Sequence, residues 1–294
     1  MDKKVVVVAL LIVCLSTFSW FYLNQDQKQE ANETYIQTVI FQDQDHDLIP
    51  VSINLHNQKE METDIRNKID LMQSSQLQIY GLYPVLDAQL EIQSIELNNH
   101  ILTVSFNDFL YTQHNDFNVI EALTYVLTDY DQVEQLYLQI DGQDISHLPN
   151  STIPLNHLTK DLGLNNFEDA STFLHESIPV MVYQEKTVGD YLYYVPKTLR
   201  IHEQADLFLQ VKTILNHINS KIHLLDATLK DHILTLELDS HILLDNEMID
   251  RTLEELMILS LKSLNDVEDV QIYINGENVR SKETSQIHYN YIKM

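Results

Sequence analysis

Two groups of residues have side chains that could bind a metal ion: the 13 histidines and the acidic run Asp43-Gln44-Asp45-His46-Asp47. Two ligands on one helical face must lie three or four residues apart, but His217 and His223 are six apart. His202-Glu203 does not continue into an HExxH motif. The acidic run lacks the glycine and the terminal glutamate of a calcium loop. We therefore interpret the histidines as solvated and the run as a solvated acidic loop, with a weak cation site as the alternative.

Motifs for nucleophilic catalysis and phosphate binding are absent from the sequence. It contains no GxSxG, SxxK, GxGxxG or GxxxxGK[ST] pattern. A single cysteine, Cys14, excludes an intramolecular disulfide and a CxxC redox pair. With 44 acidic residues against 18 Lys plus Arg, the formal charge of −26 disfavours nucleic acid as a partner, because phosphate would be repelled. We predict a protein that is not an enzyme, with no catalytic residues, no metal and no cofactor.

Three tyrosines, Tyr191, Tyr193 and Tyr194, stand close together in the segment YLYYV. This segment is rich in strand-forming residues, which favours a strand with one face buried. The alternative is an exposed aromatic surface for a glycan or a protein partner. That alternative underlies a second hypothesis of function, a cell-wall glycan-binding surface protein.

The amino terminus carries an uncharged run of 19 residues, 5–23, preceded by Lys3 and Lys4. As a helix it would extend about 28 Å, close to the hydrocarbon thickness of a bilayer. The positive-inside rule places the lysines in the cytoplasm and the remaining chain outside. We interpret residues 1–23 as a single-pass membrane anchor and 24–34 as a polar tether. A cleaved signal peptide and a lipoprotein acylated at Cys14 are the alternatives, and all three place the body of the chain outside the cytoplasmic membrane.

The body of the chain contains an internal duplication. The segment HILTVSF at 100–106 matches HILTLEL at 232–238, and VEQLYLQIDG at 133–142 matches VEDVQIYING at 267–276. The nearly constant distance between the matched ends indicates two homologous domains. We predict a first copy at 35–148, a connector at 149–177, a second copy at 178–282 and a polar tail at 283–294. A repeat of this length is too long for a solenoid unit, so each copy should have its own core.

Both copies show the same order of hydrophobic patterns. Residues 90–97 and 101–106 alternate with period two, and Asn98-Asn99 between them is a turn-forming pair, which predicts a hairpin. A helical stripe precedes the hairpin, at Ile65, Ile69 and Met72, and another follows it. The order is β-α-β-β-α-β, with residues 35–41 as a further candidate strand. This order predicts α+β domains in which the helices cover one face of a small sheet.

Residues of the first copy resemble a known family. The loop Gly81-Leu82-Tyr83-Pro84-Val85 leads into the hairpin, and Asp141-Gly142 ends the closing strand, as Asn275-Gly276 does in the second copy. This set resembles the GerM (GerMN) domain family of sporulation and spore-germination proteins. The second copy lacks the Gly-Leu-x-Pro-Val loop. We single out Gly81, Leu82, Pro84, Val85, Asp141, Gly142, Asn275 and Gly276 as family-motif residues, with a structural role.

The resemblance implies a fold similar to the ring-building domains of sporulation secretion channels. It also implies a non-enzymatic, membrane-anchored envelope protein that helps assemble a sporulation- or germination-associated complex through protein–protein contacts. The expected partners are other envelope or sporulation-complex proteins, with a homo-oligomer as a further possibility, and the membrane itself through residues 5–23.

Overall fold

The computed structural model describes residues 34–56, 60–166, 177–244, 248–279 and 290–292. The predicted anchor at 1–23 and residues 24–33 of the tether lie outside this set. Among the described residues, no helix is long and apolar enough to cross a membrane. The described helices are α1 (Met61–Met72), α2 (Asp116–Leu127), α3 (Leu207–Ile218) and α4 (Arg251–Leu261). The described strands are β1 (Thr34–Gln42), β2 (Leu48–His56), β3 (Ile92–Asn98), β4 (Ile101–Phe106), β5 (Gln135–Ile140), β6 (Gln143–Asp144), β7 (Ser177–Val188), β8 (Tyr191–His202), β9 (Leu224–Lys230), β10 (Ile233–Leu238), β11 (Asp269–Ile274), β12 (Glu277–Asn278) and β13 (Tyr291–Ile292).

Each copy follows the order β-β-α-β-β-α-β-β, an α+β arrangement. The order predicted from the sequence counts one opening strand in each copy, with residues 35–41 and the segment YLYYV as separate strand candidates, and it omits the short strand that follows the Asp/Asn-Gly turn. The short strands β6 and β12 contain two residues each, too few to show an alternating pattern. In β8, Pro196 and three charged or imidazole side chains interrupt the apolar pattern after YLYYV.

The two main sheets have the same topology. The strand orders are β3-β4-β5-β6 and β9-β10-β11-β12. In each sheet the central pair is parallel and its neighbours are antiparallel. A parallel pair needs a crossover, which α2 supplies in the first copy and α4 in the second. The central strands β5 and β11 bury every second residue, so one face of each sheet packs on the helices.

Each copy has its own hydrophobic core, but the cores are not divided strictly by sequence. Ile65, Ile69 and Met72 of α1, the predicted helical stripe, are buried in the first core. Tyr193 and Val195 of β8 also belong to the first core, although β8 lies in the second copy. The opening hairpin of the second copy therefore packs partly against the first copy.

The connector and the tail also pack on the first copy. Leu155, Leu158 and Leu164 of the connector are buried in the first core. Residues 290–292 lie in the segment interpreted as a polar tail. Within it, β13 pairs in parallel with β2, and Ile292 is buried. Two residues are too few for a strand signal, and pairing with β2 requires a return across the whole second copy.

Candidate functional site: the contact between the two copies

The family-motif loop lies where the first copy meets the second. Gly81 ends the short 3₁₀ helix 75–80 in the left-handed conformation, at φ 76°. A Cβ atom at this position would lie 2.5 Å from Cγ1 of Val188, at the end of β7. Leu82 and Val85 are buried in the first core, and the Pro84 carbonyl accepts a hydrogen bond from the Gln42 side chain. The loop therefore needs glycine for two reasons, its backbone angle and the close approach of the second copy.

Aromatic side chains continue this contact. The rings of Tyr80 and Tyr191 meet edge to face at 5.1 Å. The Tyr193 hydroxyl donates a 2.9 Å hydrogen bond to the Tyr80 carbonyl. Burial raises the pKa of Tyr193 to about 12, so the hydroxyl remains a donor over the physiological pH range. Tyr193 is 3% exposed and Tyr191 is 42% exposed, whereas the Tyr194 hydroxyl donates a hydrogen bond to the Glu255 carboxylate. The three tyrosines thus belong to a strand with a buried face and do not share one exposed surface.

Asn165 of the connector joins β2 to β8. Its side-chain oxygen accepts from the Leu48 amide, and its Nδ2 donates to the Leu48 and Pro196 carbonyls, all at 2.7 or 2.8 Å. These strands are not paired with each other by backbone hydrogen bonds. The asparagine side chain satisfies backbone groups of both, which would otherwise be costly to bury.

Asn290 makes the same kind of bridge further along the strands. Its Nδ2 donates to the Pro50 and Tyr194 carbonyls at 2.8 Å, and its Oδ1 accepts from the Tyr194 amide. Its own carbonyl accepts from the Ser52 amide. Two asparagines, one on each side of the second copy in sequence, therefore bind the two copies together.

The acidic run binds a cation that the chain itself supplies. The Lys186 Nζ lies 2.5 Å from Asp43, 3.0 Å from Asp45 and 2.6 Å from Asp47. Partial burial lowers the pKa of Lys186, but the hydrogen bonds to the three carboxylates outweigh this effect and raise it overall. The carboxylates of the predicted solvated loop therefore surround a lysine of β7, an ion pair between the two copies.

A cleft of about 440 Å³ opens beside this ion pair. Its walls come from the acidic run, the family-motif loop and the turn between β7 and β8. Tyr83 and Tyr191 contribute aromatic surface, and Ile79 at its edge is 76% exposed. The combination of aromatic and polar groups is suited to a small polar ligand more than to an apolar one.

The other family-motif residues form turns. Asp141-Gly142 and Asn275-Gly276 both have positive φ angles, between 49° and 79°, as a two-residue hairpin turn requires. The Gly142 amide donates to Ser105 Oγ, and the Gly276 amide donates to Glu237 Oε1. These positions correspond in the two copies. Neither glycine would bring a Cβ atom within 4 Å of another group, so the motif defines the hairpin.

His100 and His232 occupy equivalent hairpin turns. Their φ angles are 65° and 63°, and the carbonyl of each accepts from two successive amides, of the first residue of β5 or β11 and of the residue before it. Each ring Nδ1 lies 3.2 Å from a backbone carbonyl, of Gln132 and Asp266 respectively. The sequence match between the copies thus extends to individual hydrogen bonds.

A further histidine cluster was not predicted from the sequence. His223, Asp239 and His241 place one ligand atom each within 4.8 Å of one another. His223 directly precedes β9 and Asp239 directly follows β10, so only the pairing of these strands brings them together. A search for histidines at helical spacing cannot find this arrangement, whereas registering the two strands of the predicted hairpin could have done so.

Comparison with known proteins places these features in a family context. Residues 21–146 match the family described as Germane: sporulation and spore germination. The resemblance is confirmed. Among curated proteins, the spore germination protein GerM of Bacillus subtilis (strain 168) is 23% identical over 186 residues, which cover 57% of this chain and 51% of that protein. The chain thus spans about half the length of this curated relative.

A solved structure extends the likeness to both copies. The tandem GerMN domains of the sporulation protein GerM from Bacillus subtilis superpose with a TM-score of 0.71 at 18% identity, covering 83% of this chain and 92% of that one. This chain therefore has the fold of tandem GerMN domains. The loop at Gly81 and the turn at Asp141-Gly142 both fall inside the segment that the family match covers.

Proposed function

We propose that this protein is a non-enzymatic, GerM-like envelope protein, anchored in the membrane by residues 5–23, with its body on the extracytoplasmic side. Its role is to help assemble a sporulation- or germination-associated complex through protein–protein contacts. The similarity to GerM and the tandem GerMN fold support the sporulation or germination context. The contact between the copies supports a role in assembly.

The observation that carries the proposal is the fixed connection of the two copies. Asn165 and Asn290 each bind groups of both copies, and Lys186 of the second copy forms an ion pair with Asp43 of the first. Two binding modules held in one orientation lose less conformational freedom on docking than two that are joined flexibly. A scaffold that positions partners benefits from this arrangement.

Each main sheet also offers an unpaired edge. Within the described residues, no strand pairs with the outer side of β3 or of β9. Leu97 on β3 is 36% exposed and Leu225 on β9 is 58% exposed. An open edge with apolar side chains is a common docking surface for a strand or a neighbouring domain.

The test compares aspartate substitutions at exposed leucines. The full-length protein and its Leu97→Asp, Leu225→Asp and Leu209→Asp variants are produced in the source bacterium in place of the native copy. Each is recovered from native detergent extracts. Leu209 lies on α3 and is 49% exposed, so it is the matched control. We expect envelope proteins to be recovered with the wild type and the control, but to be lost from at least one edge variant.

Recovery of the wild-type protein alone would overturn the proposal. Equal recovery of partners with all three variants would show that the edges of the two sheets are not the docking surfaces. A strain without the gene that sporulates and germinates normally would remove the sporulation role.

The cleft beside Lys186 favours glycan binding as a second candidate function, since Tyr83 and Tyr191 offer stacking surfaces next to polar groups. In sedimentation with purified peptidoglycan, Tyr191→Ala should then lose binding. Tyr111→Ala is the control, because Tyr111 has nearly the same exposure, 41% against 42%, but does not line the cleft. Wild-type protein that stays in the supernatant would exclude this function.

A further inference from the structure

His223, Asp239 and His241 lie together at one end of the hairpin formed by β9 and β10. The Asp239 amide donates a 3.0 Å hydrogen bond to the His223 carbonyl, which fixes the two residues opposite each other. The Asp239 carboxylate accepts a 2.9 Å hydrogen bond from the His241 amide. These two hydrogen bonds fix the backbone of the three residues relative to one another. The cluster therefore depends on the backbone and not on chance side-chain positions.

The side chains point toward each other at the surface. The imidazole rings of His223 and His241 are 6.0 Å apart between centroids, and Nδ1 of His241 contacts Oδ1 of Asp239. His241 and Asp239 are 73% and 30% exposed, which leaves access for an ion and for water ligands.

We propose that His223, Asp239 and His241 form a binding site for a divalent transition-metal ion, with Zn²⁺ as the reference ion. Two imidazole nitrogens and one carboxylate oxygen are a ligand set that Zn²⁺ accepts, with water completing the coordination. Ligand atoms around a tetrahedral zinc lie about 3.4 Å apart, given bond lengths of about 2.1 Å. The ligand atoms now lie within 4.8 Å of one another, so binding of the ion would require rotations of these side chains.

The first copy provides an internal comparison. The Asn107 amide donates to the Glu91 carbonyl at 3.0 Å, the same backbone bond as between Asp239 and His223. The residue two positions after Asn107 is Phe109, where the second copy has His241. The backbone arrangement is thus shared, but the first copy has neither imidazole. The ligand set is specific to the second copy and is not a requirement of the fold.

The experiment measures zinc binding to the full-length chain in mild detergent after removal of metal by a chelator. Isothermal titration with ZnCl₂ is carried out on the wild type and on His223→Ala, His241→Ala, Asp239→Asn and His217→Ala. His217 is an exposed histidine on α3, outside the cluster, and serves as the control. The chain has other histidines that could bind zinc. The quantity compared is therefore the zinc affinity of the site that differs between the wild type and the variants.

We expect the wild type and His217→Ala to share one zinc site that each cluster variant weakens by at least about tenfold, the scale on which changes near a metal site act. Asp239→Asn keeps a side-chain oxygen for the His241 amide and should lose affinity without loss of fold, as judged by circular dichroism. Identical isotherms for the wild type, His223→Ala and His241→Ala would overturn the proposal, as would an equal loss in His217→Ala. The result does not depend on the proposed function.

Discussion

The two copies share a backbone but differ in what they bury under their helices. Lys68 is the eighth residue of α1, and Ile214 is the eighth residue of α3. Glu121 is the sixth residue after the N-cap of α2, and Leu256 is the sixth after the N-cap of α4. In each pair the first copy buries a charged group where the second copy buries an aliphatic one. The fold is therefore compatible with a charged or an aliphatic side chain at these buried positions, provided that each buried charge has partners.

The partners of the first charge lie within the first copy. The Lys68 ammonium is 3.6 Å from Asp64 and 4.4 Å from the centre of the Tyr130 ring, and the Tyr130 hydroxyl donates to Asp64 at 2.6 Å. Burial lowers the pKa of Lys68, and the charge of Asp64 opposes this in part. Burial also raises the pKa of Tyr130, with Asp64 adding to the effect.

The partners of the second charge come from the connector. The Glu121 carboxylate accepts hydrogen bonds from the Asn165 amide at 2.8 Å and the Asn166 side chain at 2.6 Å. Asn165 is also the residue that bridges β2 and β8. The difference between the copies thus shows that the first copy uses a buried acid to hold the segment that attaches the second.

The largest expected effect comes from making α1 resemble α3 in one step. Lys68→Ile leaves Asp64 buried without its cation and should lower the free energy of unfolding by about 3–5 kcal/mol. The second copy has Gln210 at the position that corresponds to Asp64. The double variant Asp64→Gln/Lys68→Ile should therefore regain at least about 2 kcal/mol over Lys68→Ile. Urea unfolding measures both values, and additive losses would show that the two residues are not coupled.

A smaller effect is expected at the contact between the copies. Gly81→Ala combines backbone strain with the approach to Val188, so it should cost about 2–4 kcal/mol. Gly142→Ala has a similar φ angle, 71° against 76°, but nothing within 4 Å, and should cost about 1–2 kcal/mol.

Val188→Ala provides the check on this assignment. It removes the Cγ1 atom that the new methyl group would meet, so Gly81→Ala should cost less in a Val188→Ala background than in the wild type. Thermal unfolding of the four proteins measures the coupling. An equal cost for Gly81→Ala in both backgrounds would mean that the contact with the second copy does not restrict this position.

The smallest effect depends on pH. Burial raises the pKa of Glu121 in the folded protein, with the hydrogen bonds from Asn166 and Asn165 opposing it. Its unfolded value is about 4.3. Its contribution to stability is present below that value and is lost as the pH rises through the raised pKa.

Glu121→Gln does not ionise, so it should gain stability relative to the wild type as the pH rises from about 4 to 8. The gain should be about 1.4 kcal/mol for each unit by which the pKa is raised. Urea unfolding across this range measures the difference between the two proteins. A difference that stays constant with pH would contradict the assignment.

Local patterns account for the parts of the fold that were predicted. The stripe at Ile65, Ile69 and Met72 packs in the core. The predicted hairpin of β3 and β4 is present, but its turn is Asn99-His100, one residue later than the predicted pair Asn98-Asn99, because Asn98 still pairs with Ile101. Periodicity and turn chemistry act over a few residues, so the sequence displays them directly.

The contacts between distant segments could not be predicted in the same way. In the sequence, Lys68 stands beside the helical stripe, where a polar residue would be expected on a solvated face. Its burial becomes evident only from its contacts with Tyr130 and Asp64 in the fold. Asn165 and Asn290 have the composition of loops, and their role depends on two strands that come from different copies. The connection of Asp43 with Lys186 likewise requires the tertiary fold.

The pairing of β13 with β2 has a consequence for biosynthesis. The ribosome synthesises the chain from its amino end, so β13, the strand that pairs with β2 of the first copy, emerges after the entire second copy has been made. Until then, one side of β2 lacks its neighbour and is open to the wrong partner, a known hazard for nascent β-proteins. The sheet of β1, β2 and β13 in the first copy can therefore be completed only once the second copy has been synthesised.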